Sequence, residues 1–243
     1  MDTNAKPGPR AADVAEARRL FDAAEQNGLA PLPDLLATEL CVLGAPAHSL
    51  FDEAIVRAWA ELPEAAREEL VVNALNGLHQ RRLLDPPADP DDPTLRMHAP
   101  LATIVTGRAH PSFLAVCTAE CASQDAPRMY GVAEQGRGIR VVLVERPSTN
   151  RLNPHTGDVE ELAPEEDGNL NQIYQYLLVS PGEAVRALGA WLHSDAEYRV
   201  EFFHNPEVGK FRRDTIRGRE ILSLDDGAVM TKMRNLIESG VTT

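Results

Sequence analysis

The sequence predicts an α+β protein: an N-terminal helical, winged-helix-like subdomain packed with a mainly antiparallel β-sheet that is flanked by helices. Three observations lead there. Residues 49–82 hold apolar side chains at helical spacing behind two N-terminal start signals. Residues 83–85 and 94–98 flank a loop rich in proline and aspartate, the layout of a wing. Beyond residue 101, apolar and β-branched runs are punctuated by glycine and polar turns, as in a meander of strands. The expected organisation is a tail and helix over 1–30, the winged-helix-like helical subdomain over 31–100, and a β-rich α+β domain over 101–243 with an acidic loop near 146–170.

The first helix is expected over 13–27, with Val14, Ala17, Phe21 and Ala24 on one face and Gly28 as its stop, and it reads as a docking arm. After Pro31-Leu32-Pro33, the apolar run 35–43 suits either a buried strand or a short helix, which periodicity does not separate. Ser49-Leu50-Phe51-Asp52 fits a capping box, and its helix should end near Leu62. Pro63 suits the first position of the next helix, where its missing N–H costs nothing. In that helix Glu64, Glu68 and Glu69 lie toward the positive end of the dipole, and Arg81 and Arg82 toward the negative end. Its buried face should comprise Leu70, Val71, Ala74, Leu75 and Leu78. The wing carries Asp85, Asp89, Asp91 and Asp92, carboxylates where a DNA-binding wing usually presents Lys or Arg. His79, Gln80, Arg81 and Arg82 hold the position of a recognition helix and are able to touch phosphates.

An apolar segment, 101–106, opens the β-rich part and a buried strand is expected over 112–120. Runs 128–134 and 139–145 should pair as a hairpin around Gln135-Gly136-Arg137-Gly138, the second lying centrally in its sheet because it is the more hydrophobic. Residues 147–169 read as a surface loop in which Asp158, Glu160, Glu161, Glu165, Glu166 and Asp167 follow without an intervening cation. They lack the ordered alternation of a calcium-binding loop, so a solvated or partner-facing segment is the better reading. A strand is expected over 173–179, followed by Ser180-Pro181-Gly182-Glu183 as a capping box for a helix through Ala187, Leu188, Trp191 and Leu192. Residues 198–204, 212–217 and 220–224 alternate as antiparallel strands, and Asp225-Asp226-Gly227 is a turn or cap. The chain should end in a helix with Val229, Met233, Leu236 and Ile237 on one face.

A length of 243 residues with 43% hydrophobic content is enough for a sizeable core. Lys and Arg number 24 against 37 acids, a formal charge of −13 that disfavours nucleic acid and anionic lipid and favours a basic partner. Three cysteines at unrelated spacings form no disulfide framework, which points to a reducing compartment. With neither a secretory leader nor a run of about 18 apolar residues in the sequence, the expected location is cytoplasmic and without a membrane span. The abundance of Ala, Leu, Arg, Asp and Pro suits a GC-rich, actinobacterial-style genome.

No catalytic, cofactor-binding or metal-binding motif stands out, so no catalytic residue, cofactor or metal is expected and the partner-binding residues stay unassigned. Cys117 and Cys121 with His110 lack a further zinc ligand and read as core cysteines. His193 and His204 have no serine or cysteine to activate. Gly136-Arg137-Gly138 is a hairpin turn, because no helix follows to receive a phosphate. Glu134 and Glu145 flank that hairpin and read as solvated carboxylates rather than an acid/base pair. Lys210, Arg212, Arg213, Arg217 and Arg219 read as charges that guard an edge strand.

Ala58-Trp59-Ala60-Glu61-Leu62 ahead of a second helix, then Arg82-Leu83-Leu84-Asp85, an apolar segment, a β-meander, a Ser-Pro-initiated helix and final antiparallel strands give an order of parts that resembles the EspG family of type VII secretion chaperones. The likeness covers residues 32 to 235. It implies a mixed α/β body that holds secreted PE/PPE-type proteins by their helical tips in the cytoplasm, without catalysis or cofactor. The chain departs from the family in its short length, its N-terminal helix and the acidic stretch 157–167, and no individual site is carried over. The expected function is a non-enzymatic cytoplasmic chaperone or adaptor for a small helical protein partner. The alternatives are a winged-helix transcriptional regulator with a β-rich sensor domain, or a cryptic enzyme.

Overall fold

The computed structural model describes residues 11–44, 47, 52–85, 95–119, 126–134, 138–153, 158–161, 169–193, 198–204, 218–223 and 226–239. Helix α1 (Ala11–Asn27) ends where Gly28 takes φ +84°, a conformation that costs glycine nothing, and the chain turns straight into strand β1 (Leu29–Pro31). The ambiguous apolar run resolves into both readings: a two-residue strand β2 (Leu35–Leu36) and then helix α2 (Ala37–Leu43). Glu39, at the third position of α2, accepts the N–H of Leu36 at 2.9 Å, so a carboxylate satisfies a free donor at the helix start.

Helix α3 (Glu53–Glu61) starts after Asp52, and the expected capping residues Ser49 to Phe51 lie outside the described residues. Asp52 makes no side-chain cap bond; its carboxylate is used elsewhere. Helix α4 (Glu64–Gln80) follows with Pro63 at its N-cap position, one residue earlier than expected. Arg67 of α4 donates to the carbonyls of Ala60 and Leu62 at 3.1 and 2.9 Å, closing the exposed end of α3. On α4, Ala74 and Leu78 are buried, Leu70, Val71 and Leu75 are half-buried, and Val72 is exposed.

The two expected wing strands pair antiparallel as β3 (Leu84–Asp85) and β4 (Arg96–Met97), Leu84 opposite Met97. This ribbon does not establish a winged helix. Its Arg96 and Asp85 are engaged with Asp13 and His98, and α4 packs chiefly on α2. The acidic positions Asp89, Asp91 and Asp92 lie outside the described residues. The apolar segment 101–106 is not part of the β-rich region: it belongs to helix α5 (Ala99–Ala109), with Pro100 in its first turn and Leu101, Ile104 and Val105 buried. Its apolar residues are too dense to show a periodicity, which is why sequence did not separate helix from strand.

Strands β5 (Phe113–Ala119), β6 (Arg128–Glu134) and β7 (Gly138–Leu152) form the meander, each antiparallel to the next. Residues 135–137 of the hairpin lie outside the described set, and Gly138 leaves the turn at φ +75°. The expected acidic loop is partly strand: β7 runs on to Leu152, and β8 (Val159–Glu161) pairs with its end, Arg151 opposite Glu160. A register shift between Pro147 and Arg151 absorbs the proline, whose missing N–H would otherwise break the ladder.

Strand β9 (Gln172–Val179) leads into helix α6 (Pro181–Leu192), where the hydroxyl of Ser180 accepts the N–H of Glu183 at 3.3 Å as the sequence predicts. The reciprocal half of the box is not made, because the N–H of Ser180 goes to the carbonyl of Gly28 at 2.9 Å. Strands β10 (Tyr198–His204) and β11 (Gly218–Ser223) pair, and helix α7 (Asp226–Ser239) closes the described chain, starting at Asp226 with Val229 and Met233 buried. Residues 212–217 lie outside the described set.

Together the described strands make a nine-stranded antiparallel sheet in the order β1-β9-β7-β6-β5-β10-β11, with β2 also on β9 and β8 also on β7. Strand β7 is central, as its hydrophobicity predicts. One sheet face, through Leu114, Tyr130, Val141, Leu143, Tyr176 and Leu178, packs in a core that also holds Ala24, Leu40, Leu78, Leu101 and Ile104 of the N-terminal helices. The opposite face, through Phe113, Met129, Val142, Val144 and Phe202, is covered by Leu188 and Leu192 of α6 and Val229 and Met233 of α7. The result is a helix–sheet–helix arrangement with a core on each side.

Gly131 of β6 stands opposite Phe113 of β5, and a methyl group there would lie 2.3 Å from the Phe113 ring. Gly131→Ala is therefore expected to lower stability by about 1–3 kcal/mol in chemical denaturation. An unchanged unfolding midpoint would mean the ring does not lie over that glycine.

Candidate functional site

Ionisable side chains converge at one place, on the sheet face that meets the N-terminal helices. Arg108, in the last turn of α5, and Glu145, on β7, are both fully buried; Asp52, ahead of α3, is 2% exposed. Arg108 donates through Nη2 to Asp52 Oδ2 and through Nη1 to the Tyr176 hydroxyl at 2.8 Å, and its Nε lies 3.3 Å from Glu145 Oε2. Arg128, on β6 directly opposite Glu145, donates to Glu145 Oε1 at 2.9 Å and reaches Asp52 Oδ1 at 3.3 Å. Tyr130 adds a hydroxyl to Glu145 Oε1 at 3.3 Å, and the Tyr174 ring lies under the Arg108 guanidinium, 5.8 Å from its centroid.

Strand periodicity places these groups. On β6 Arg128 and Tyr130 share a face, on β7 Leu143 and Glu145 do, and on β9 Tyr174 and Tyr176 do, so cross-strand pairing brings Tyr176, Glu145 and Arg128 into one row. Two guanidiniums meet two carboxylates, and the cluster is neutral. Burial acts to lower the Arg108 pKa, but Asp52 and then Glu145 outweigh it and hold the group well above its ordinary value. The same balance, with Glu145 as the leading anion, raises Arg128. Burial pushes Tyr130, Tyr174 and Tyr176 up, so all three keep their hydroxyl protons at physiological pH. Chemically the cluster is a charge-balanced set of ion pairs flanked by tyrosines, in which Arg108 Nε and Glu145 Oε2 face each other without a hydrogen bond among the described residues.

Outside this cluster another buried carboxylate, Glu39 of α2, is bonded to Arg81 just beyond α4. Arg81 also donates to the carbonyl of Asp34 at 2.7 Å, joining the end of α4 to the start of α2. On the other sheet face a groove of about 230 Å³ opens beside the turn after β1, lined by Leu32, Asp34, Val144, Arg146, Gln175 and Leu177 among others. Partial burial raises the Asp34 pKa, opposed by Arg81.

The sequence-stressed positions fare differently. Glu145 is not solvated, as its place at a strand end suggested; it is the most buried carboxylate of the cluster, because β7 continues beyond it. Glu134 is half-buried, paired with Arg140 at 3.2 Å, and is not brought to Glu145. Cys117 lies in the core under α6 and α7, where burial raises its thiol, while His110 is exposed at the end of α5 and Cys121 lies outside the described residues. Cys41 is also buried, its thiol pushed up to about 12 by burial and then by Asp52. His193 is exposed and its Nδ1 meets the Gly189 carbonyl at 2.6 Å; His204 is half-buried at the end of β10. His79 Nδ1 meets the Leu84 carbonyl at 3.1 Å. Of the basic run, Lys210, Arg212, Arg213 and Arg217 lie outside the described residues and Arg219 falls on β11. Among the described residues no group of three or more His, Cys, Asp or Glu is placed to hold a metal ion.

Sequence reading did not single out Arg108 or Arg128, and it read Asp52 only as part of a helix cap. A usable signal was present for one pair: Arg128 and Glu145 are opposite charges near the open ends of the hairpin that residues 135–138 announce. The sequence matches no known protein family profile and no curated protein.

Glu145→Ala would leave two buried guanidiniums facing one carboxylate, and it is expected to cost about 3–5 kcal/mol in denaturant unfolding. A loss below about 1 kcal/mol would show that water reaches the cluster.

Proposed function

We propose that the protein is a non-enzymatic binding protein of the cytoplasm, a chaperone or adaptor that holds a small helical protein partner, as the resemblance to EspG-type chaperones implies. The observation that supports this most is the closed charge balance of the interior: Arg108 and Arg128 are spent on Asp52 and Glu145, so the convergent ionisable groups stiffen the fold. What the chain offers outward is a strongly acidic surface, net −13, and a helical pair, α3 and α4, attached through α2 with Val72 exposed on α4. The DNA-reading alternative needs the end of α4 to face phosphates. There Arg81 is engaged with Glu39, and His79 with the carbonyl of Leu84. Among the described residues no helix is long and apolar enough to cross a membrane.

Mixing the full chain with a panel of PE/PPE-type helical pairs, followed by size exclusion with light scattering, tests the reading. The expected result is a complex in which the 26.6 kDa chain joins one copy of a helical pair. Elution at its own mass with every pair, at low salt, would contradict it.

A further inference from the structure

Helix α1, 17 residues long, buries little of itself: only Ala24 is fully buried, with Leu20, Phe21 and Ala23 packed partly against the core. Its remaining hold is ionic. Arg140 of β7 donates to Glu25 at 2.8 and 3.1 Å and to Asp22, and its guanidinium lies 5.4 Å from the Phe21 ring centroid. At the other end Arg96 of the β3–β4 ribbon donates to both oxygens of Asp13, at 2.9 and 2.7 Å. Asp22 and Glu25 are 51% and 42% exposed, so water and salt compete for these bonds. Asp13 and Glu25 are separated by about 18 Å of helix, which sets the spacing of the two arginines it bridges.

Beneath α1 lie β1, α5, β7 and β9. This bed has ties that do not involve α1: β1 is fixed to β9 by its ladder, and Arg96 and Arg140 also hold Asp85 and Glu134. Gly28, at φ +84°, lies between α1 and β1, with the carbonyl bond to Ser180 fixing the chain just after the helix. Rotation about that glycine is the least strained way for α1 to leave while β1 stays paired.

We propose that α1 is a built-in stand-in for the partner helix: it rests reversibly in a cradle of Arg96 and Arg140 over β1, α5, β7 and β9, and an amphipathic partner helix with carboxylates at the same spacing binds there by displacing it. This rests on the proposed function above, and it names the surface and the chemistry of the partner. Arg96 and Arg140 each donate to carboxylates of α1 while also holding Asp85 and Glu134, so the cradle offers two positioned guanidiniums to a helix whose carboxylates match that spacing.

The probe is a fluorescent peptide with the sequence of α1, residues 11–27, added to the full chain. In the full-chain variant D22K/E25K the intramolecular helix is weakened while Arg96 and Arg140 are kept. Each exposed pair is worth about two- to fivefold in an equilibrium constant. The peptide is therefore expected to bind the variant about tenfold more tightly than the wild-type chain, with salt weakening the binding. Equal binding to both chains, or none to either, overturns the proposal, as does amide exchange showing α1 of the variant still as protected as in the wild type. A helical pair that binds the wild-type chain should bind the variant about tenfold more tightly and compete with the peptide. Unchanged affinity without competition would overturn the cradle and leave the chaperone function standing. Peptide capture with every helical pair silent would support the cradle and contradict the client class proposed above.

Discussion

Arg108 sits at the end of α5 with no access to water, and a guanidinium in that position is tolerable only if opposite charge is built around it. The residues that meet it come from far apart in the chain: Asp52 ahead of α3, Glu145 of β7 and the Tyr176 hydroxyl of β9, with Arg128 of β6 completing the balance. Five segments must therefore reach their native places together. The net gain of such a cluster over an apolar core is small, since desolvation offsets most of the Coulomb attraction. Its effect is specificity: a one-residue slip of β7 would send Glu145 to the other sheet face and leave both arginines to share Asp52 alone.

The two electrostatic systems of the fold differ in strength for a physical reason. Arg108, Asp52 and Glu145 are buried from bulk solvent, so loss of one partner strands another charge. Around Arg140 the carboxylates of Asp22 and Glu25 are half in solvent, and breaking those bonds lets water replace them. The sheet is therefore held by two buried cores, while α1 is held by contacts of the kind that open locally. In a protein proposed to receive a helical partner, that division gives a fixed receiving surface and one releasable element.

Much of the architecture was legible in the sequence because it is local. The hairpin around Gly138, the Ser180 cap with Pro181 behind it, the apolar alternation of β9 and the apolar face of the terminal helix each depend on a few neighbouring residues. Helix α5 was misread as part of the β-rich region, since a run buried nearly all round carries no period. Strand β7 was cut short at Glu145 because Pro147 and the polar residues after it signal a loop, whereas a register shift lets the strand continue. That error removed the candidate site from view: a glutamate at a strand end is ordinarily solvated, and a glutamate in mid-strand is not. Arg108 gave no local signal and Asp52 gave one for a helix cap instead, since their shared role comes from contact at a separation of 56 residues.

The interior ion cluster as the tie between α3 and the sheet is tested most directly by a double-mutant cycle on Asp52 and Arg108. Asp52→Asn, Arg108→Met and the double variant are compared by denaturant unfolding, with amide exchange read over α3. A coupling energy above about 2 kcal/mol is expected, with faster exchange in α3 for either single change. Effects that add within about 0.5 kcal/mol, with α3 unchanged, would contradict it.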